Sequence, residues 1–167
     1  IKHGFLIENP LLNEIGFKTG DRVISVDDKE LSTYSELRKS IISASVYQVE
    51  RGGEFLEITL PKDFLGQLSS QENTTTFELR TPFVIQQVLD GSSNKTYDLQ
   101  KGDIITSING KKINYVDEFI PVLSENKNTT VEVELLRGSF TIQKTLNVDA
   151  EGKLGIMHGA SMADNIN

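Results

Sequence analysis

Short apolar runs separated by turn residues make up this chain, and their order repeats once. His3-Gly4-Phe5-Leu6-Ile7 predicts a strand that Asn9-Pro10 breaks. Leu11, Leu12 and Ile15 then fall at helical spacing in a short turn that closes near Gly16. Gly20-Asp21 leads into Arg22-Val23-Ile24-Ser25-Val26, and Asp27-Asp28 turns the chain back toward Leu31. Thr33 followed by Glu36 has the form of a capping box, and Leu37 and Ile41 share one helix face. Residues 46–50 and 55–60 read as a hairpin about Arg51-Gly52-Gly53-Glu54, ended by Pro61.

Pro82-Phe83-Val84-Ile85 restarts the series, and Asp90-Gly91-Ser92-Ser93-Asn94 stands where Asn9-Pro10 stood, in a longer loop. Gly102-Asp103 then opens Ile104-Ile105-Thr106-Ser107-Ile108-Asn109-Gly110, at 82 residues from the first Gly-Asp. Asn-Gly between apolar runs signals a tight turn, because both residues accept positive φ. A helix carrying Val116, Phe119, Ile120 and Leu123 follows, then a hairpin about Arg137-Gly138, then Lys153-Leu154-Gly155-Ile156-Met157. Leu65-Gly66-Gln67-Leu68 answers that last segment in the first copy. Both Gly-Asp strands are expected to alternate, Val23 and Ser25 against Ile24 and Val26, and Ile105 and Ser107 against Ile104 and Ile108. The unit is thus strand, short helix, Gly-Asp strand, helix, hairpin and Leu-Gly strand.

A repeat of this size in 167 residues implies two small domains, each near the lower limit for a self-sufficient core. The expected division is 1–68, a linker over the wholly polar 69–76, a second domain over 77–158, and a disordered tail or remnant over 159–167. A start at Ile1 rather than Met implies a piece of a longer protein. The net charge of −7, with no basic block, argues against nucleic acid as a partner. No apolar run is long enough to span a membrane, so the piece is expected to be soluble and monomeric. With no cysteine, disulfides and thiolate metal sites are excluded.

The stretch Lys101-Gly102-Asp103-Ile104-Ile105-Thr106-Ser107-Ile108-Asn109-Gly110-Lys111-Lys112-Ile113, with the Arg-Gly hairpin and the closing Leu-Gly-Ile strand, resembles bacterial PDZ domains. Thr19-Gly20-Asp21-Arg22-Val23-Ile24-Ser25-Val26-Asp27-Asp28-Lys29-Glu30-Leu31 is a looser match, with Asp28 where glycine is usual. Two copies with the Leu-Gly strand last resemble the periplasmic region of site-2-type intramembrane zinc metalloproteases, the regulator of sigma-E protease family. The resemblance implies an α+β fold: two tandem PDZ domains, small partly open β-barrels flanked by helices, circularly permuted. It implies a zinc site and membrane helices elsewhere in the parent, on the periplasmic side of the bacterial inner membrane. The fragment would bind no cofactor and would gate access by size, with C-terminal or extended segments of membrane-protein substrates as partners. An alternative frame runs from Leu65 to Leu146 in the order of HtrA-type serine proteases, with the Leu-Gly strand first. The permuted frame is the expected one, since it gives each copy a complete set of elements. A peptide-binding scaffold is the remaining alternative.

PDZ domains recognise a peptide C-terminus by strand addition, with backbone N–H groups of the Leu-Gly loop holding the carboxylate. The resemblance therefore points to Leu154, Gly155, Ile156 and Met157 opposite Val116, Phe119, Ile120 and Leu123. In the first copy it points to Leu65, Gly66, Gln67 and Leu68 opposite Leu37 and Ile41. The plain alternative is that these are closing strands and core helix residues without a ligand. The Gly-Asp aspartates are expected to be structural, bonding nearby backbone N–H groups. No catalytic or metal set is visible. A zincin needs two His one turn apart with a Glu, and only His3 and His158 occur, each beside glycine. No Gly-x-Ser-x-Gly elbow is present. Asn73, Asn94 and Asn128 head chance glycosylation sequons.

Overall fold

The two Gly-Asp phrases open the central strands of two separate units. The computed structural model describes residues 3–159, which divide between Arg80 and Thr81. The first unit runs β1 (Phe5–Leu6), α1 (Pro10–Glu14), β2 (Arg22–Val26), β3 (Lys29–Glu30), α2 (Tyr34–Ser40), β4 (Val46–Arg51), β5 (Glu54–Thr59), α3 (Phe64–Ser69) and β6 (Glu78–Leu79). The second runs β7 (Phe83–Val88), β8 (Ile104–Ile108), β9 (Lys111–Lys112), α4 (Val116–Glu125), β10 (Thr130–Arg137), β11 (Phe140–Asn147) and β12 (Ile156–His158). The fold is α+β, strand-rich with four helices among the described residues. Each unit has its own core. The first is built on Phe5, Leu12, Phe17, Leu37, Tyr47 and Phe77, and the second on Ile85, Ile105, Ile108, Phe119, Val131 and Leu146.

The pairing is repeated in detail. β2 pairs with β3 and β4, and β4 with β5; β8 pairs with β9 and β10, and β10 with β11. Both central strands are interrupted at the same place, where Ile24 and Thr106 drop out of register with the neighbouring strand. A bulge shifts every later side chain to the other face, so strict alternation fails. In the second unit Ile105 and Ile108, three residues apart, both point into the core. Asn109 and Gly110 take the positive φ their turn requires, and Asp27 and Asp28 do so without a glycine. The Asp27 carboxylate accepts from the Val46 N–H at 2.8 Å, and Asn109 Oδ1 from the Glu132 N–H at 2.9 Å.

The Gly-Asp aspartates are buried, each about 1% exposed, and each meets the arginine of its own hairpin. Arg51 donates from Nε to Asp21 Oδ1 at 2.7 Å and from Nη2 to Oδ2 at 2.8 Å. Arg137 repeats the fork on Asp103 at 2.9 and 2.8 Å. Each aspartate also accepts the N–H of the residue three before it, Lys18 or Gln100. The arginines reach onward to the preceding loop, Arg51 to the Gly16 carbonyl and Arg137 to the Asp98 carbonyl.

Three expectations are corrected. Leu65-Gly66-Gln67-Leu68 is not a strand but part of α3, because Phe64 and Leu68, four apart, bury one helical face and leave Leu65 outward. The stretch 69–76 is not a linker. Its first residue ends α3, Asn9 Nδ2 donates to the carbonyls of Asn73 and Thr75, and Thr76 is buried. The division consequently falls at 80/81 rather than across 69–76, since Phe77 packs in the first core and β6 pairs with β1. The proposed tail begins at Gly159 and otherwise lies outside the described residues.

Replacing Asp21 with Ala leaves the Arg51 guanidinium without its partner. Chemical denaturation should show the first unit destabilised by about 2–3 kcal/mol, toward the low end for a broken pair because Arg51 is partly exposed, with the second unit unmoved. The Arg137 fork holds the Asp103 carboxyl below its ordinary range. A depressed carboxylate contributes stability above its unfolded value, and that contribution is lost as pH falls through the folded one. Acid titration should therefore weaken the second unit below about pH 4, with Asp103→Asn reducing that dependence.

Candidate functional site

Each unit ends in an edge strand whose outward backbone groups are set by its pairing. In the second unit the Ile85 N–H donates to the Asp103 carbonyl, and the Ile85 carbonyl accepts from Gly102, so both groups point toward β8. β12 lies on the other side of β7, with Ile156 opposite Val88, Met157 opposite Gln87 and His158 opposite Ile85. The Leu89 N–H donates to the Gly155 carbonyl. Antiparallel pairs alternate between exchanging and not exchanging bonds. Ile156 and His158 hold the non-exchanging positions and direct their N–H and C=O groups to the open edge. Among the described residues β12 is the last strand in the sheet order, with β7 its partner.

Beside that edge runs a groove of about 580 Å³ between α4 and residues 149–158, lined by Phe83, Val116, Phe119, Ile120, Leu123 and Ile156, among others. The α4 face expected from the sequence is the face that lines it. Phe119 and Leu123 are buried at its floor, and Ile120 is 58% exposed at its rim. Leu154 is buried, whereas Met157 is exposed and turned away from the groove. His158 also lines the groove, its ring 4.8 Å from that of Phe83, and burial pushes its imidazole below its ordinary value.

The loop that enters β12 is braced by residues the sequence reading passed over. Gly155 has φ +65°, and a Cβ there would collide with the Ser92 side chain. Ser92 Oγ donates to the Leu154 carbonyl at 3.1 Å. Asn94, fully buried, donates from Nδ2 to the carbonyls of Leu154 at 2.9 Å and Asn147 at 2.8 Å, and accepts from the Asn147 N–H. The signal was present as a polar residue in a turn-rich loop at the place of Asn9, but the loop alone named no partner.

The first unit builds the same brace from Asn9. Its Nδ2 donates to Thr75 O at 2.8 Å, and its Oδ1 accepts from the Leu11 N–H. Phe5 takes the place of Ile85, exchanging bonds with Gly20 and Asp21, and faces Leu79 across β6. Residues 75–79 thus match residues 154–158, and Thr75-Thr76-Phe77 stands where Leu154-Gly155-Ile156 does. A groove of about 1080 Å³ lies between α2 and residues 74–79. Ile41 lines it, and Leu37 is buried in the core. Leu65, Gly66, Gln67 and Leu68 do not reach it. Among the described residues, no group of three or more His, Asp or Glu is arranged to hold a metal.

Comparison with known proteins gives one family. The profile of the PDZ domain matches residues 65–149, about half of the chain. The matched span begins inside α3 and ends before β12. The serine protease HTRA2, mitochondrial, of Drosophila sechellia is 32% identical over 100 residues, covering 60% of this chain and 24% of that protein. The periplasmic pH-dependent serine endoprotease DegQ of Escherichia coli K12 is 25% identical over 150 residues, covering 76% and 32%. Uncharacterized protein MJ0971 of Methanocaldococcus jannaschii is 38% identical over 74 residues, covering 42% and 20%. The chain therefore spans about a fifth to a third of the length of these relatives.

Removing the Asn94 side chain leaves buried carbonyls of Leu154 and Asn147 without donors. Asn94→Ala should cost the second unit about 1–3 kcal/mol in thermal or chemical unfolding, and amide exchange should rise first at residues 154–156.

Proposed function

The chain belongs to the PDZ domain family, and on that footing we propose that it is a non-catalytic peptide-binding region of an HtrA-type serine protease. A substrate or regulatory peptide would add as a strand to β12, with its C-terminal carboxylate against the Leu154-Gly155 loop and its last apolar side chain in the α4 groove. The observation that carries this reading is the open edge of β12 beside an apolar groove. Ile156 and His158 offer backbone donors and acceptors there, and Val116, Phe119 and Leu123 offer an apolar wall. The serine protease relatives support the parent class. We take the two units as a tandem pair in permuted order, a reading supported by the repeated Asp–Arg fork and by the pairing of β12 with β7. By analogy with DegQ, we assign the region to the periplasm.

A second reading keeps the strand order at its centre. A Leu-Gly strand that follows the hairpin, as β12 follows β11, favours the site-2 type of protease. The pair would then act as a steric gate over a membrane-embedded zinc site in the parent chain. The two readings part on affinity: a gate excludes by volume and needs no bound peptide.

Titration of the isotopically labelled chain with a short peptide ending in an apolar residue separates them. Strand addition predicts amide shifts at residues 154–158 and along α4, abolished when the peptide carboxylate is amidated. An unchanged spectrum at millimolar peptide would sink the capture reading and leave the gate.

A further inference from the structure

The two edge strands have the same backbone geometry but different neighbours. Because Phe5 spends its N–H and C=O on Gly20 and Asp21, the Phe5–Leu79 pair is a non-exchanging one. The Leu6–Glu78 pair exchanges instead, and Phe77 directs its carbonyl to the open edge, as Ile156 does in the second unit. The Phe77 carbonyl is not left open. The Tyr34 hydroxyl donates to it at 2.5 Å from the first residue of α2. Tyr34 is held in that position by its ring, which stacks on Phe5 with centroids 6.0 Å apart and carries the Arg38 guanidinium at 5.8 Å. Leu37 and Phe119 occupy matching helix positions, so the residue matching Tyr34 at the start of α4 is Val116, whose side chain has no donor.

We propose that Tyr34 is the residue that decides which unit accepts a strand. Its hydroxyl occupies the edge position where the N–H of an incoming peptide would bond, and so confines strand addition to the second unit. This inference rests on the strand-addition reading above. Room does not distinguish the two units, since the first groove has the larger volume, about 1080 Å³ against about 580 Å³. The free edge atom does. Burial pushes the Tyr34 hydroxyl above its ordinary value, so it remains a donor at neutral pH. The loop sequence agrees: Thr76 stands where the second unit has Gly155.

The test uses the full chain as wild type, Tyr34→Phe and Tyr34→Val, with one peptide bearing an apolar C-terminus and a free carboxylate. Tyr34→Phe removes the hydroxyl and keeps the ring against Phe5; Tyr34→Val installs the side chain of the second unit. Amide shifts report both units at once, and the unperturbed core signals report folding. In the wild type the shifts should stay at residues 154–158 and α4. In both variants a second set should appear at residues 75–79 and α2, with the first-unit affinity for Tyr34→Phe at least about three- to tenfold above the wild-type limit. Equal first-unit responses in all three chains would overturn the inference, as would no first-unit response in either folded variant. The latch is judged on the difference at residues 75–79 alone. A missing response at residues 154–158 in every chain would count against the proposed function instead.

Discussion

A buried aspartate clasped by one arginine fixes the geometry of each unit. Asp21 and Asp103 sit at the entrance to the central strand with almost no exposure, where an unpaired carboxylate would be costly. Their partners come from the far end of the neighbouring hairpin strand, so the bond forms only when β2 and β4, or β8 and β10, are in register. The same arginines reach the loop before the strand and fix the turn that β1 or β7 must pass. Such a pair adds little net stability over a well-packed apolar pair, but it penalises every other register. The bulge repeated one turn further along each central strand is part of the same arrangement. It lets Ile105 and Ile108 both face inward while the Asp103 fork stays in place.

From that fixed strand the functional edge follows by alternation. Ile85 and Phe5 are committed to the central strand side, so the residues opposite them on β12 and β6 must turn their backbone groups outward. A buried asparagine then holds the entry loop of each edge strand against the rest of its unit, Asn94 on Leu154 and Asn9 on Thr75. What differs is the helix across the groove. A tyrosine supplies the first unit with a donor to its own edge, and the valine at the matching position of the second brings none.

The repeat, the turns and both hairpins were legible in the sequence because glycine, asparagine and aspartate mark positive φ directly, as Asn109-Gly110 does. The α4 face was legible for a similar reason, since Val116, Phe119, Ile120 and Leu123 have a helical period. The first unit's closing segment was not. Leu65-Gly66 imitates Leu154-Gly155 in letters, but Phe64 and Leu68 give it a helix period, and the chain uses it as α3. The segment that does close the first unit, Thr75-Thr76-Phe77, has no glycine and follows a polar run, so its threonines read as linker and Phe77 as the start of the second domain. Only the Asn9 contacts and the β1 pairing identify it. The Asp–Arg forks were half visible: both members were noticed as repeated phrases, but nothing in the spacing joined them.

The account stands on β12 closing the second unit from after the hairpin, whereas the matched family span starts at Leu65 and stops short of it. The chain has no cysteine, so a designed pair can be read without background. Val88 and Ile156 form a non-exchanging pair, the kind whose Cα atoms lie about 4.5 Å apart and within disulfide reach. The direct measurement is oxidation of Val88→Cys/Ile156→Cys beside Val88→Cys/Leu65→Cys, followed by mass analysis of the monomer. An intramolecular link in the first pair and none in the second is the predicted result. A link through position 65 with position 156 left free would contradict the strand order, and with it the site built on β12.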